Sequence, residues 1–172
     1  FTAPHFFTTG NLLNVLRSIS LQGMIAFGMT MVIIAGEIDL SVGSSVAFCG
    51  CFIAYLVNTG LNIPLSIVIT LILGFGIGSF TGFMRTRYNV HTFITTLALF
   101  TGLQGGARLI TKGFPLTPFP QGYNFLGGGY LLGIPFPALL FLMTFLIVHF
   151  LMNHTAFGRS ICTASSGRAS SC

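Results

Sequence analysis

The chain reads as an all-α, polytopic transmembrane helical bundle, with about five spans present and a helix broken at residues 36–41. Three observations carry that expectation. Hydrophobic residues make up 53% of the sequence and charged residues 5%, with a mean hydropathy of +0.90, so polar surface is too scarce to coat a water-soluble domain. Charge-free apolar stretches cover residues 18–36, 40–84, 90–107 and 131–152. Spanning the hydrocarbon core takes about 20 helical residues, so the second stretch holds two passes. Turn formers and basic residues gather at the ends of these stretches, where a chain leaves the bilayer.

Residues 1–17 mix aromatics with polar and turn residues, and Leu12, Leu13, Val15 and Leu16 then offer a short amphipathic approach to the bilayer surface. The first span covers residues 18–36 and is interrupted by Gln22, Gly23 and Gly28; its glycines serve either close packing or hinges. The second covers residues 41–57 and ends at Asn58, Thr59, Gly60, Asn62 and Pro64, a turn cluster. The third, residues 64–84, carries Thr70, Gly74, Gly78 and Gly82 at four-residue steps. These form a small-residue stripe along one face, which lets another helix approach closely. A phosphate loop is the sharper alternative, but no Gly-Lys-Ser/Thr accompanies the glycines.

Arg85, Thr86, Arg87, Tyr88 and Asn89 are expected as a short basic loop. The fourth span, residues 90–110, holds Thr92, Thr95, Thr96, Thr101 and Gln104, which either line a polar passage or bond back to helical carbonyls and neighbouring helices. Residues 111–130 contain Pro115, Pro118, Pro120 and the run Gly127-Gly128-Gly129, and are expected as an extended loop outside the hydrocarbon with room for a re-entrant piece. Leu131 opens the fifth span, and a polar tail with Arg159 and Arg168 follows from Asn153. Alternating the spans puts Arg85, Arg87, Arg159 and Arg168 on one side and Arg17, Arg108 and Lys112 on the other, a weak lean towards a cytoplasmic tail. Tyr55, Tyr88, Tyr123 and Tyr130 fall near segment ends, where an amphipathic ring is comfortable.

The only two acidic residues, Glu37 and Asp39, lie between the first two spans. A carboxylate at such a depth is costly and marks a function or a special local structure. Asp39 followed by Ser41, Gly43 and Ser44 is helix-start chemistry, because short side-chain oxygens accept from free first-turn N–H groups. As structure, Asp39 caps the broken helix and Glu37 faces water or Arg85. As mechanism, the two acids gate or line a solute path or carry protons. Capping is the preferred account for Asp39.

Other chemistries find little support. The net charge of +5 comes from basic residues scattered at segment ends, with no run or stripe fit for nucleic acid. Cys49 and Cys51, two residues apart, point away from one another in a helix, and Cys162 and Cys172 lie in the tail, so no disulfide framework is read. His5, His91, His149 and His154 lack metal-ligand spacing. No nucleophile elbow or paired-carboxylate spacing points to a hydrolase. No enzyme activity, catalytic residue, metal or cofactor is therefore expected. No charged segment with an apolar core precedes Leu12, so no signal peptide is read and the true start is expected to be missing.

A family likeness is carried by Phe6-Phe7, by Asn11-Leu12-Leu13-Asn14, by Gly28-Met29-Thr30 and above all by Ile38-Asp39-Leu40-Ser41-Val42-Gly43-Ser44. Phe93-Ile94-Thr95-Thr96-Leu97 with Gly102, and His154-Thr155-Ala156-Phe157-Gly158-Arg159, continue it in order. Together these resemble the N-terminal part of the membrane permease subunit of ribose-type ATP-binding cassette sugar importers, in the branched permease superfamily. Departures are Glu37, where glycine is frequent, and the residues after Arg159; family permeases are also about twice this length. The expectation is a partial permease domain at residues 1–160 with a divergent or truncated tail at 161–172, from a fragment or frameshifted product.

The resemblance implies a multi-pass protein of the bacterial inner membrane, surrounded by lipid, that passes a monosaccharide or similar small polar solute. It implies a cytoplasmic ATP-binding subunit, a periplasmic sugar-binding protein and a second permease subunit, in a homo- or heterodimer. No Walker motif occurs in the chain, in keeping with energy coupling through another polypeptide. Glu37, Asp39, Ser41, Gly43 and Ser44 would form the helix-break and translocation motif, Gly74, Gly78 and Gly82 the packing face, and Phe157, Gly158 and Arg159 the ATPase contact. The alternatives are a secondary transporter or channel using Glu37 or Asp39 for ion coupling, and a non-functional permease fragment.

Overall fold

The computed structural model describes residues 7–117, 121–131, 133–156, 158–161 and 163. Its elements in order are α1 (Thr9–Ile34), α2 (Val42–Asn58), α3 (Ile63–Tyr88), α4 (Thr92–Thr111), α5 (Gln121–Gly128), β1 (Tyr130–Leu131), β2 (Ile134–Pro135) and α6 (Phe136–His154). Helices α1, α3, α4 and α6 are long and apolar enough to cross a membrane, and α2 is a shorter apolar helix. With 17 residues, α2 is about 25 Å long and stands at the short end of the spanning range. The all-α polytopic expectation holds.

Burial is inverted relative to a water-soluble protein. Ser20, Ser41, Ser44, Ser66, Thr92, Thr95 and Thr96 are buried, whereas Leu71, Ile72 and Phe75 of α3 are 67%, 66% and 78% exposed. Lipid tails are as apolar as leucine, so large side chains gain nothing by turning inward, and small ones let helix backbones approach. Two of the buried serines are satisfied locally: Ser20 Oγ donates to the Leu16 carbonyl at 2.6 Å and Ser66 Oγ to that of Asn62 at 3.1 Å.

Contacts divide the chain into two compact units, one of Phe1–Gly36 with Asn124–Cys172 and one of Glu37–Tyr123. In the first, α6 packs on α1. The Phe141 ring stacks on Phe27 with centroids 5.2 Å apart, and Phe145 lies 5.7 Å from Phe27. Gly23, one turn before Phe27, lies under the Phe141 ring, which would collide with any Cβ there. Strands β1 and β2 pair antiparallel, Tyr130 with Pro135 and Leu131 with Ile134, around Gly133 at φ +82. Arg17 ties this ribbon to α1, donating to the Gly128 carbonyl at 3.3 Å and to the Tyr130 hydroxyl at 3.1 Å.

In the second unit, short turns join α2, α3 and α4, so α2 and α4 run parallel with their N-termini at one end. These two make the most extensive helix contact of the unit. Phe48 of α2 covers Gly106 of α4, its ring 2.9 Å from where a Cβ would stand. The turn expected after Asn58 is present, with Gly60 at φ +92.

The structure corrects four boundaries. Helix α1 is continuous from Thr9, because nothing after Gly10 breaks it, so no separate amphipathic segment stands before residue 18. Helix α3 runs on through Tyr88, placing Arg85 and Arg87 in its last turn and not in a loop; cations suit the carbonyl end of a helix. Asn89 at φ +54 then ends it. Part of the expected extended loop is α5. The last long helix starts at Phe136 and not Leu131, since the ribbon precedes it and Pro137 fits its first turn. Pro118 and Pro120 lie outside the described residues.

Candidate functional site

The break between α1 and α2 is built by local hydrogen bonding. Ala35 N–H donates to the Met31 carbonyl at 3.0 Å and Gly36 N–H to that of Ile33 at 2.8 Å, and Gly36 takes φ +71, the left-handed geometry that closes a helix. Two residues beyond Glu37, Asp39 Oδ1 accepts from both the backbone N–H and the hydroxyl of Ser41, each at 2.7 Å. This is an aspartate turn leading into the helix. Ser41 itself is the N-cap, yet it makes no side-chain cap bond; its carbonyl accepts from Ser44 Oγ at 2.8 Å and Ser45 N–H at 2.8 Å. Asp39 therefore organises the residue before the helix instead of capping the helix directly.

Glu37 pairs with Arg85 of α3, Oε1 to Nε at 3.2 Å. Arg85 Nη1 also donates to Asn89 Oδ1 at 3.4 Å, so the end of α3 is tied to the break. Both acids are thus engaged in holding this end of the unit. Ser41 and Ser44 are buried. Gly43, in the first turn of α2, has no atom within 4 Å of a Cβ position, so that turn has an open side.

Helix α4 starts at the same end, with Thr92, Thr95 and Thr96 buried. Thr96 Oγ1 bonds back to the Phe93 carbonyl at 3.2 Å and Thr101 Oγ1 to that of Ala98 at 2.9 Å, which matches the carbonyl-bonding account for these two. Thr92 Oγ1 is buried without a hydrogen-bond partner.

The remaining candidates are dispersed. A Cβ on Gly74 would stand 3.8 Å from Cys49 Sγ of α2, but one on Gly78 or Gly82 would meet nothing within 4 Å. Gly158 is buried just after α6, with Arg159 exposed beside it; Gly158 N–H lies 3.4 Å from Thr155 Oγ1. Phe157 lies outside the described residues, as do residues 164–172 of the expected tail. Among the described residues no cluster of His, Cys, Asp and Glu could hold a metal. The contact of Arg17 with Tyr130 has no sequence signature beyond a lone arginine inside an apolar helix, which was the available signal.

The family model for "Branched-chain amino acid transport system / permease component" matches residues 11–168. The ribose import permease protein RbsC of Bacillus subtilis (strain 168) is 39% identical over 158 residues, covering 91% of this chain and 49% of that protein. RbsC of Escherichia coli (strain K12) is 36% identical over 163 residues, 92% of this chain and 51% of that one. The L-arabinose ABC transporter permease protein AraH of Azospirillum brasilense is 32% identical over 160 residues, 93% and 47%. The chain spans about half the length of the curated relatives it matches. No solved structure matches it. Apolar helices, an inverted burial pattern and a match over most of the sequence agree: this multi-pass plasma-membrane chain belongs to the family of branched-chain amino acid transport system permease components, a transport family and not an enzyme family.

Proposed function

We propose that the chain is part of the transmembrane permease subunit of an ATP-binding cassette importer for a monosaccharide or similar small polar solute. The observation that carries this reading is similarity, over about nine-tenths of the chain, to proteins named as ribose and L-arabinose permeases. A separate cytoplasmic ATPase drives transport, a periplasmic sugar-binding protein delivers the solute, and a second permease subunit completes the pore. Residues 1–160 act as one partial permease domain, with 161–172 as a divergent tail.

In this reading Glu37, Asp39, Ser41, Gly43 and Ser44 shape the translocation path. The first turn of α2 has no side-chain cap, and its N–H groups beside Gly43 are available to solute hydroxyls, as at the interrupted helices of other transporters. Gly74, Gly78 and Gly82 give α3 a face for close packing, with the open sides of Gly78 and Gly82 available to the rest of the assembly. Phe157, Gly158 and Arg159 contact the ATPase. The ion-coupling alternative is disfavoured by the acids themselves, since Glu37 is held by Arg85 and Asp39 by Ser41.

Uptake of labelled ribose and arabinose by vesicles containing the full-length protein tests the proposal. Transport is expected to require ATP, the ATPase and the binding protein. Uptake driven by an ion gradient without them would overturn it.

A further inference from the structure

An open groove of about 450 Å³ lies in the second unit, between the middle of α2, the end of α4 and the loop after it, and neither acid lines it. Its floor is the small-residue face of α2, Ala47, Gly50 and Ala54, and its lip is Phe114 and Pro115 in the loop after α4; Arg108 stands in its wall. A Cβ on Gly50 would meet nothing within 4 Å, so the floor is unfilled there.

Arginine near a helix C-terminus usually serves the terminal carbonyls, but here the backbone has already done so. Gly113 N–H donates to the Arg108 carbonyl at 3.1 Å, Lys112 N–H to that of Leu109 at 3.3 Å and Phe114 N–H to that of Thr111 at 3.0 Å. Lys112 and Gly113 achieve this at φ +53 and +77. The Arg108 side chain is exposed, and among the described residues it has no hydrogen bond or ion pair. The only acids in the chain, Glu37 and Asp39, precede the far end of α2. Arg108 lies three residues before the end of α4, about 4.5 Å along the axis. From there an arginine in a spanning helix reaches the headgroup layer. Exposed Lys112 adds to the positive field.

We propose that this groove is a binding site for an anionic phospholipid, with an acyl chain over Ala47, Gly50 and Ala54 and the phosphate on the Arg108 guanidinium. The occupant follows from charge complementarity: a groove floored by small apolar residues of α2 ends at a cation that has no ion pair among the described residues, in a chain read as lying in lipid. The groove uses none of the residues assigned above to the solute path, so its test does not depend on sugar transport.

The test offers the 172-residue chain an equimolar mixture of phosphatidylglycerol and phosphatidylcholine, and native mass spectrometry reads the lipid retained after detergent exchange. Wild type should retain phosphatidylglycerol in preference. Arg108→Gln should cut that preference about tenfold, the equivalent of one charge-assisted hydrogen bond. Arg87→Gln, at the opposite end of the unit, should leave it unchanged. Gly50→Leu places a branched side chain over the groove floor, where a Cβ has open space, and should reduce retention of both lipids at undiminished helical circular dichroism. Soluble glycerol 3-phosphate should not displace the lipid. Equal retention of the two lipids by wild type, an equal loss in the Arg87 variant, unaltered retention in the Gly50 variant, or displacement by glycerol 3-phosphate would each overturn the proposal.

Discussion

The two units solve the same problem with different materials. In the first, α1 and α6 are joined by large rings: Phe141 is trapped between the bare backbone at Gly23 and the ring of Phe27 one turn on. In the second, α2, α3 and α4 bury serine and threonine, and an ion pair ties α3 to the break before α2. Without a hydrophobic drive between helices, association rests on shape and on polar contacts. The first unit uses mainly shape, which tolerates no added volume at its contact, while the second adds polar contacts at one end and tolerates more.

That contrast can be broken first at Gly23. Gly23→Leu is expected to cost about 1–3 kcal/mol, because Phe141 is backed by Phe27 and cannot retreat; thermal unfolding in detergent reads this as the largest loss of the set. Gly106→Leu, the counterpart in the second unit, should cost less, since the Phe48 ring approaches a Cβ there to 2.9 Å, not as closely as Phe141 approaches one at Gly23. Equal losses would erase the distinction.

Asp39→Leu removes two hydrogen bonds to Ser41 and should cost about 1–2 kcal/mol. Asp39→Asn keeps an acceptor oxygen and should be nearly silent in stability and in uptake by the full-length protein. If both variants lose uptake equally, the charge of Asp39 matters and not its turn.

Glu37→Gln should be milder, about 0.5–1 kcal/mol, because the pair with Arg85 is partly exposed and screened. The swap Glu37→Arg with Arg85→Glu should recover most of the loss from either reversal alone, and a double-mutant cycle with no coupling would remove the ion pair from the description. The one gain in stability is expected at Gly28, where a Cβ meets nothing within 4 Å. Gly28→Ala should raise stability by about 0.5–1 kcal/mol through helix propensity, and a loss there would indicate a contact or hinge that the packing does not reveal.

Sequence alone determined that the chain is a membrane bundle, where α1 ends and α2 begins, and which family it resembles. Those features are written locally: charge-free runs match the bilayer, Gly36 supplies a left-handed residue, and Asp39 and Ser41 bond across two positions. The Glu37 pair with Arg85 was legible in outline because so few charges exist to choose from, whereas Asp39 was expected to cap α2 and forms an aspartate turn onto Ser41 instead. Whether Gly23 was a packing site or a hinge was not legible, nor were the grip of Arg17 on Tyr130 and the ribbon before α6. The opposite fates of Gly74, beside Cys49, and of Gly78 and Gly82, facing open space, were equally hidden. Each depends on which residue from a distant part of the chain arrives opposite, and a glycine or a lone arginine reads the same in sequence whether a ring, a carbonyl or nothing stands before it. Only the tertiary structure brings Phe141 to Gly23 and leaves Arg108 unmatched, because those outcomes are set by packing between helices and not by the propensity of any one of them.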